Sequence, residues 1–316
     1  MKDGLLLVDK PTGCTSHDVV QSVRRLLRQK KTGHCGTLDP AATGLLLLTL
    51  GRATRLTRFL IRAPKVYEGT VHFGSTTDTY DASGTVVATA EEGLVDGLTA
   101  TAIDEAMATF RGAIDQVPPA YSAKKVQGRK YYELARKGEE VPREPKQVQV
   151  YEFTATDELQ EQRLPFRLAC SSGTYARSLA HDLGEVLGVG GHLASLRRLH
   201  IGAFDLESAI SLDKLEDVAP ERDVASAADF DPGSVVGGAW IPFDNIPLPF
   251  AELTLDTGQE NRILQGQTVL SRQLESEEGD WIKLISRGGR FLAVGSVTER
   301  IGARGVGVIQ PRVVFS

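Results

Sequence analysis

Hydrophobic and polar positions along the chain change period several times, and each change marks an element. Residues 4–9 are a continuous apolar run closed by a Lys10-Pro11-Thr12-Gly13 turn, which predicts a strand buried on both faces. Ser16 reads as the N-cap of a helix with Val19, Val20, Val23, Leu26 and Leu27 on one face. Arg24, Arg25, Arg28, Lys30 and Lys31 fall off that face. A glycine-rich loop over 33–44 leads into a short apolar strand at 45–50, then a short basic helix over 52–61. Residues 65–74 alternate, with Tyr67, Gly69, Val71 and Phe73 on one side, as a half-buried strand does. Residues 74–84 read as a polar turn region, 99–112 as a helix, 148–154 and 163–170 as strands, and 174–187 as a helix with Leu179, Leu183 and Val186 inward.

The stretch over 113–147 has weak periodicity, many charges and four prolines, which predicts a functional insertion. Short strands at 281–285, 291–297 and 307–315, separated by glycine and polar turns, predict a small separate β-barrel. The Asp-, Ala-, Gly- and Pro-rich segment 219–249 is the expected boundary, giving domains over 1–240 and 248–316. The expected class is α+β, with a mixed, largely antiparallel sheet flanked by helices and a C-terminal barrel.

Composition narrows the chemistry. With 316 residues, 41% hydrophobic and 24% charged, the chain is not disordered in bulk. No apolar run is long enough for a membrane span. Three cysteines without paired spacing exclude a disulfide scaffold, and the first residues lack a secretory leader pattern. A reduced, cytoplasmic protein is expected. The net charge of −5 conceals an asymmetry: residues 1–70 carry 12 Lys/Arg against 5 Asp/Glu. A second basic stretch, over 124–146, contains Lys124, Lys125, Arg129 and Lys130. Local basic potential suits phosphate binding, although solvated surface charge reads the same way in one dimension.

The loop over 33–44 holds three glycines around His34 and Asp39. Asp39 followed by Pro40 reads locally as a helix N-cap with proline at the first helical position. The functional reading is a rigidly held carboxylate acting as nucleophile or general base. His34 divides similarly between a backbone-bonded loop histidine and a site residue. No HxH, CxxC or HExxH spacing points to a metal. Asp78 and Asp81 read as turn chemistry ahead of a cation site. No Walker or GxGxxG loop is present, so no nucleotide cofactor is expected.

Several segments taken together resemble one family. Asp9-Lys10-Pro11-x-Gly13-x-Thr15-Ser16 and Gly33-His34-x-Gly36-Thr37-Leu38-Asp39-Pro40-x-Ala42-Thr43-Gly44 resemble the first motifs of the bacterial TruB-type tRNA pseudouridine synthases. Lys65-x-Tyr67-x-Gly69, Gly74-x-x-Thr77-Asp78-Thr79-x-Asp81, Pro118-Pro119-x-Tyr121-Ser122-Ala123 and Cys170-x-x-Gly173-Thr174-Tyr175-x-Arg177 follow in order. The end of the chain resembles a PUA domain, a small RNA-binding barrel. The resemblance implies the pseudouridine synthase fold and isomerisation of uridine 55 in the tRNA T-loop. It implies Asp39 as the essential carboxylate, Arg177 as its partner, Tyr67 as the base-stacking ring and His34 beside a flipped base. Lys10, Tyr175 and Leu196 are the further implied substrate contacts. The implied partner is the tRNA T-stem-loop, with no cofactor, no metal, no membrane, no obligate protein partner and a monomeric chain. A non-catalytic RNA-binding module, a guide-dependent relative and a carboxylate-dependent glycoside hydrolase are the alternatives.

Overall fold

The protein is described by a computed structural model over residues 2–121, 125, 126, 129, 130, 144–218, 232–272, 275–302 and 305–315, with backbone alone for 125, 126, 129 and 130. Among these residues the central sheet has eleven strands. Its long strands are β1 (Gly4–Lys10), β2 (Thr43–Leu50), β3 (Lys65–Phe73), β4 (Gly112–Gln116), β5 (Lys146–Ala155), β6 (Arg163–Cys170) and β7 (Gly191–Ile201). They lie in the order β1-β2-β7-β3-β6-β5-β4. Each neighbouring pair is antiparallel except β2–β7, which is parallel.

β1 and β2 are apolar throughout because both of their faces are covered. Leu6, Val8, Leu46, Leu48 and Leu50 pack on Val19, Val20 and Val23 of helix α1 (Ser16–Leu26). Leu5, Leu7, Leu45 and Leu47 pack on Phe59 and on Phe291, Val313 and Phe315 from the C-terminal part of the chain. On the other half of the sheet, Tyr67, Val71, Phe73, Phe153, Phe166 and Leu168 are covered by α2 (Ala100–Ala108) and α3 (Ala176–Val186). A cleft opens where these two halves meet.

The C-terminal strands β8 (Glu252–Leu255), β9 (Val269–Ser271), β10 (Trp281–Ser286), β11 (Phe291–Ile301) and β12 (Val306–Val314) form a five-stranded sheet. It curls as a half-barrel over Leu253, Ile282, Leu284, Leu292 and Ile309, with Ile263 from α4 (Thr257–Leu264). The α+β class, the mixed but largely antiparallel sheet and the barrel-like C-terminal sheet match the sequence expectation. No helix among the described residues is long and apolar enough to cross a membrane.

Local differences from expectation have physical causes. Thr15, not Ser16, caps α1, because Asp18 at the third helical position completes a reciprocal capping box with it. This frees the Ser16 hydroxyl for a tertiary contact. The basic helix over 52–61 is a 3₁₀ turn (Gly51–Leu56) followed by one α-turn (Thr57–Leu60). The turn region 74–84 contributes a strand, Ser75–Thr77, paired with Val86–Thr89. The ends of the insertion are strands β4 and β5, paired with Lys146 opposite Gln116. The boundary segment supplies Trp240–Pro242, which pairs with β1. β7, paired along both sides of the cleft, has no clear alternation in sequence. Its two bulges and its polar residues Ser195, Arg197 and Arg198 break the period.

Candidate active site

No helix follows Asp39, so it is not an N-cap; residues 36–42 form an irregular bend before β2. The bend is fixed from below. The fully buried Lys10 Nζ donates to the carbonyls of Pro11 (2.9 Å), Pro40 (3.3 Å) and Ala42 (2.7 Å). Ser16 Oγ accepts from the Leu38 amide at 2.8 Å and donates to the Leu38 carbonyl at 3.1 Å. Gly13 N donates to the Pro40 carbonyl, and Cys35 N to the Leu47 carbonyl, both at 2.9 Å. Gly44 leaves the bend at φ +99°, where a Cβ would collide with the Arg198 backbone. Glycine therefore permits the close parallel approach of β2 to β7.

Arg177 enters from the first turn of α3. Its Nε lies 2.9 Å from Asp39 Oδ2, and its Nη2 donates to Asp39 Oδ1 at 3.2 Å. The same guanidinium donates to the carbonyls of Thr79 (3.1 Å) and Tyr121 (3.0 Å) and lies 3.4 Å from Asp81 Oδ2. Asp81, buried, accepts in turn from the Thr79 hydroxyl and the Ser83 amide. The turn reading of Asp81 is thus incomplete, since its second oxygen faces Arg177. The start of α3 is held by Gln116, whose side chain accepts from Tyr175 N (2.7 Å) and donates to the Tyr175 carbonyl (3.0 Å).

Burial pushes the Asp39 carboxyl above its ordinary range; Arg177 pulls it back, and the Asp81 carboxylate adds to the upward push. Burial therefore outweighs the guanidinium in setting the direction. Arg177 nonetheless donates to one carboxylate oxygen and stands in ion-pair contact with the other, the arrangement of an ionised group. Arg177 is only 7% exposed while the Asp39 side chain is 42% exposed, so the acid reaches into the opening and its partner stays behind it.

The opening is a cleft of about 430 Å³ lined by Asp39, Tyr67, Tyr175, Arg177 and Leu196, with Lys65, Lys146 and Arg198. Five residues that the resemblance implies thus share one wall set. Lys10 and His34 do not line it: Lys10 lies beneath the bend, and His34 ends the strand Thr32–His34. His34 Nδ1 is buried without a hydrogen-bond partner, while the ring bonds the Gly36 backbone, in line with the backbone-bonded reading; burial followed by Arg198 lowers its pKa. Tyr67 is buried on the inward face of β3, and burial raises its hydroxyl pKa. Lys124 and the side chains of Lys125, Arg129 and Lys130 lie outside the described residues. No cluster of potential metal ligands occurs among those described.

The chain is 43% identical over 93% of its length to the protein named tRNA pseudouridine synthase B of Solibacter usitatus (strain Ellin6076), covering 96% of that protein. It is 40% identical, with the same two coverages, to the one of that name from Aquifex aeolicus (strain VF5). Residues 24–176 match the N-terminal domain of TruB family pseudouridylate synthases. The chain belongs to the TruB family of pseudouridylate synthases. TruB C-terminal domains match at 177–228 and 251–315. Among solved structures, a chain of a Cbf5-Nop10-Gar1 complex aligns at TM-score 0.74 and 25% identity, covering 99% of this chain and 85% of that one.

In this TruB chain the residues that sequence reasoning did not single out are Asp81 as a support for Arg177, Gln116, Lys65 and Arg198. Lys65 and Asp81 stand inside quoted motifs, two residues from Tyr67 and from Thr79. Arg198 carried no such signal, because it sits on the unpredicted strand β7 opposite Tyr67.

Proposed function

We propose that this TruB chain converts uridine 55 in the T-loop of tRNA to pseudouridine, with Asp39 as the catalytic carboxylate on a flipped-out nucleotide. One observation carries the reading: Asp39 stands at the mouth of a cleft with both oxygens held by the buried Arg177, while Tyr67 and Leu196 form the walls. Extruding a base costs a few kcal/mol, and stacking on an aromatic ring offsets part of it. Arg177 keeps the acid ionised and aimed, so that it meets the ribose or the base without reorganising. Tyr175, beside Arg177, completes the mouth. Lys10 acts on the substrate through the bend it supports, and His34 fills space behind the bend close to the displaced base. The basic residues near the N-terminus and in the insertion bind phosphates of the stem, with the half-barrel adding surface. The enzyme works as a monomer in the cytoplasm, without a cofactor or an obligate protein partner.

The test is incubation with an unmodified tRNA transcript, with and without U55 replaced, followed by mapping of pseudouridine. Modification is expected at that position alone. Asp39→Asn is expected to bind the transcript with Kd unchanged within about threefold and to lose at least about 10³-fold in rate. Turnover by that variant, or release of free uracil, rules the assignment out.

A further inference from the structure

Lys65 and Arg198 line the cleft, and both are buried. Lys65 Nζ donates to the carbonyls of Ile61 (2.7 Å) and Ala63 (2.6 Å). Arg198 donates to the carbonyls of Leu45 (2.7 Å) and Gly36 (3.1 Å) and to the Tyr67 hydroxyl. A Cβ on Gly36 would lie 3.5 Å from Lys65 Cε and 3.6 Å from Arg198 Nη1, so the two cations flank one glycine. Among the described residues neither forms an ion pair with a carboxylate. Two buried like charges satisfied by neutral oxygens alone are costly to keep. The arrangement is explained if negative charge reaches them during the reaction.

Asp39 and Arg177 share the cleft lining with Tyr67, Lys65 and Arg198. The side chains acting on Asp39 are Arg177, Asp81 and Lys10, whereas those acting on Lys65 are Arg198, Cys170 and Cys35. Arg198 stands opposite Tyr67 in the register of β7 with β3, and Lys65 lies two residues before Tyr67 on β3. A base stacked on the Tyr67 ring with its ribose at Asp39 shares the cleft with Lys65 and Arg198. In the isomerisation the N1–C1′ bond breaks, its electron pair departs with the ring as a uracil anion, and the electron-deficient C1′ is balanced by the Asp39 carboxylate until C5 replaces it. After rotation C5 bonds to C1′ through a ring π pair, C5 loses its proton, and N1 ends protonated. Between these steps the charge lies on N1 and the carbonyl oxygens.

Building on the function proposed above, we infer that Lys65 and Arg198 are further catalytic residues, holding the detached uracil anion by charge and hydrogen bonds while it turns. Burial and then Arg198 bring the Lys65 pKa down to about 8, whereas its other neighbours, Cys35 and Cys170, are pushed up to about 12 and about 11 and remain thiols. Lys65 is thus the group of this set that loses its charge as pH passes 8.

The experiment uses tRNA tritiated at uridine C5 and excess enzyme, so that tritium release reports loss of the C5 proton in a single turnover. The wild-type rate is expected to fall as pH rises through 8. Lys65→Met is expected to be about 10²-fold slower at neutral pH, without that alkaline fall, and with tRNA Kd within about twofold. Arg198→Lys is expected to slow the same step by about tenfold with Kd unchanged. A tenfold weaker Kd with an unchanged single-turnover rate overturns the inference in favour of a ground-state phosphate contact, and no change in either quantity also overturns it. A wild-type profile flat to pH 9 overturns the role of Lys65 whether or not any variant folds. Absence of tritium release from the wild type counts against the function itself instead.

Discussion

Among the described residues, two aspartates each face two guanidinium nitrogens of an arginine from a distant part of the chain. Arg177 holds Asp39 at 2.9 and 3.2 Å, and Arg197 holds Asp9 at 2.7 and 3.1 Å. Contact geometry does not distinguish them; their surroundings do. Arg197 is 43% exposed, joins β7 to the end of β1 and also reaches the Thr43 hydroxyl. Arg177 is 7% exposed and has, besides Asp39, two backbone carbonyls and a second carboxylate as partners. A guanidinium that donates to a carboxylate and to two backbone carbonyls is held in place, and so is the acid it presents. The first pair ties strands together in contact with water, where such pairs contribute little. The second sets a carboxyl whose pKa burial raises at the mouth of a cleft, the setting in which functional acids concentrate.

Breaking the buried pair is expected to have the largest effect. Arg177→Met removes the pull that opposes burial, so the Asp39 pKa rises further. Activity is expected to fall by about 10³-fold at neutral pH, and the acid limb of the single-turnover rate to move to higher pH. Retention of the wild-type limb in this variant contradicts the pairing. Asp81→Asn acts in the opposite direction on the same acid: it removes a like charge that raises the Asp39 pKa, so the acid limb should move to lower pH. Its hold on Arg177 is weakened as well, so a loss of about tenfold in kcat is expected with KM little changed. The smallest effect belongs to Arg197→Met. Denaturant titration should show a loss of no more than about 1 kcal/mol, with activity within about threefold of wild type. A large activity loss there would mean that the exposed pair also positions the Asp39 bend.

Much of the fold was readable because it rests on local pattern. The apolar run of β1, the alternation around Tyr67 and the one-sided helix α1 each state their period within ten residues. The half-barrel was legible for the same reason. β7 was not, because its residues satisfy two neighbours and a cleft at once, and bulges reset its alternation. Motif likeness singled out Asp39, Tyr67 and Arg177. Read locally, Asp39-Pro40 favoured a helix cap, and the turn around Asp81 looked self-sufficient.

The amino-acid order by itself determined most of the strands and helices, that the first seventy residues are basic, and that Asp39 stands inside a family motif. The tertiary structure alone decided what that acid meets. Arg177 lies 138 positions from Asp39, and Arg198 reaches the Leu45 carbonyl across 153. Such contacts exist only once β2 lies parallel to β7, a non-local pairing with no short-range signature in sequence. The same pairing sets the acid's electrostatics, because burial is a property of everything that surrounds a side chain and of nothing within it.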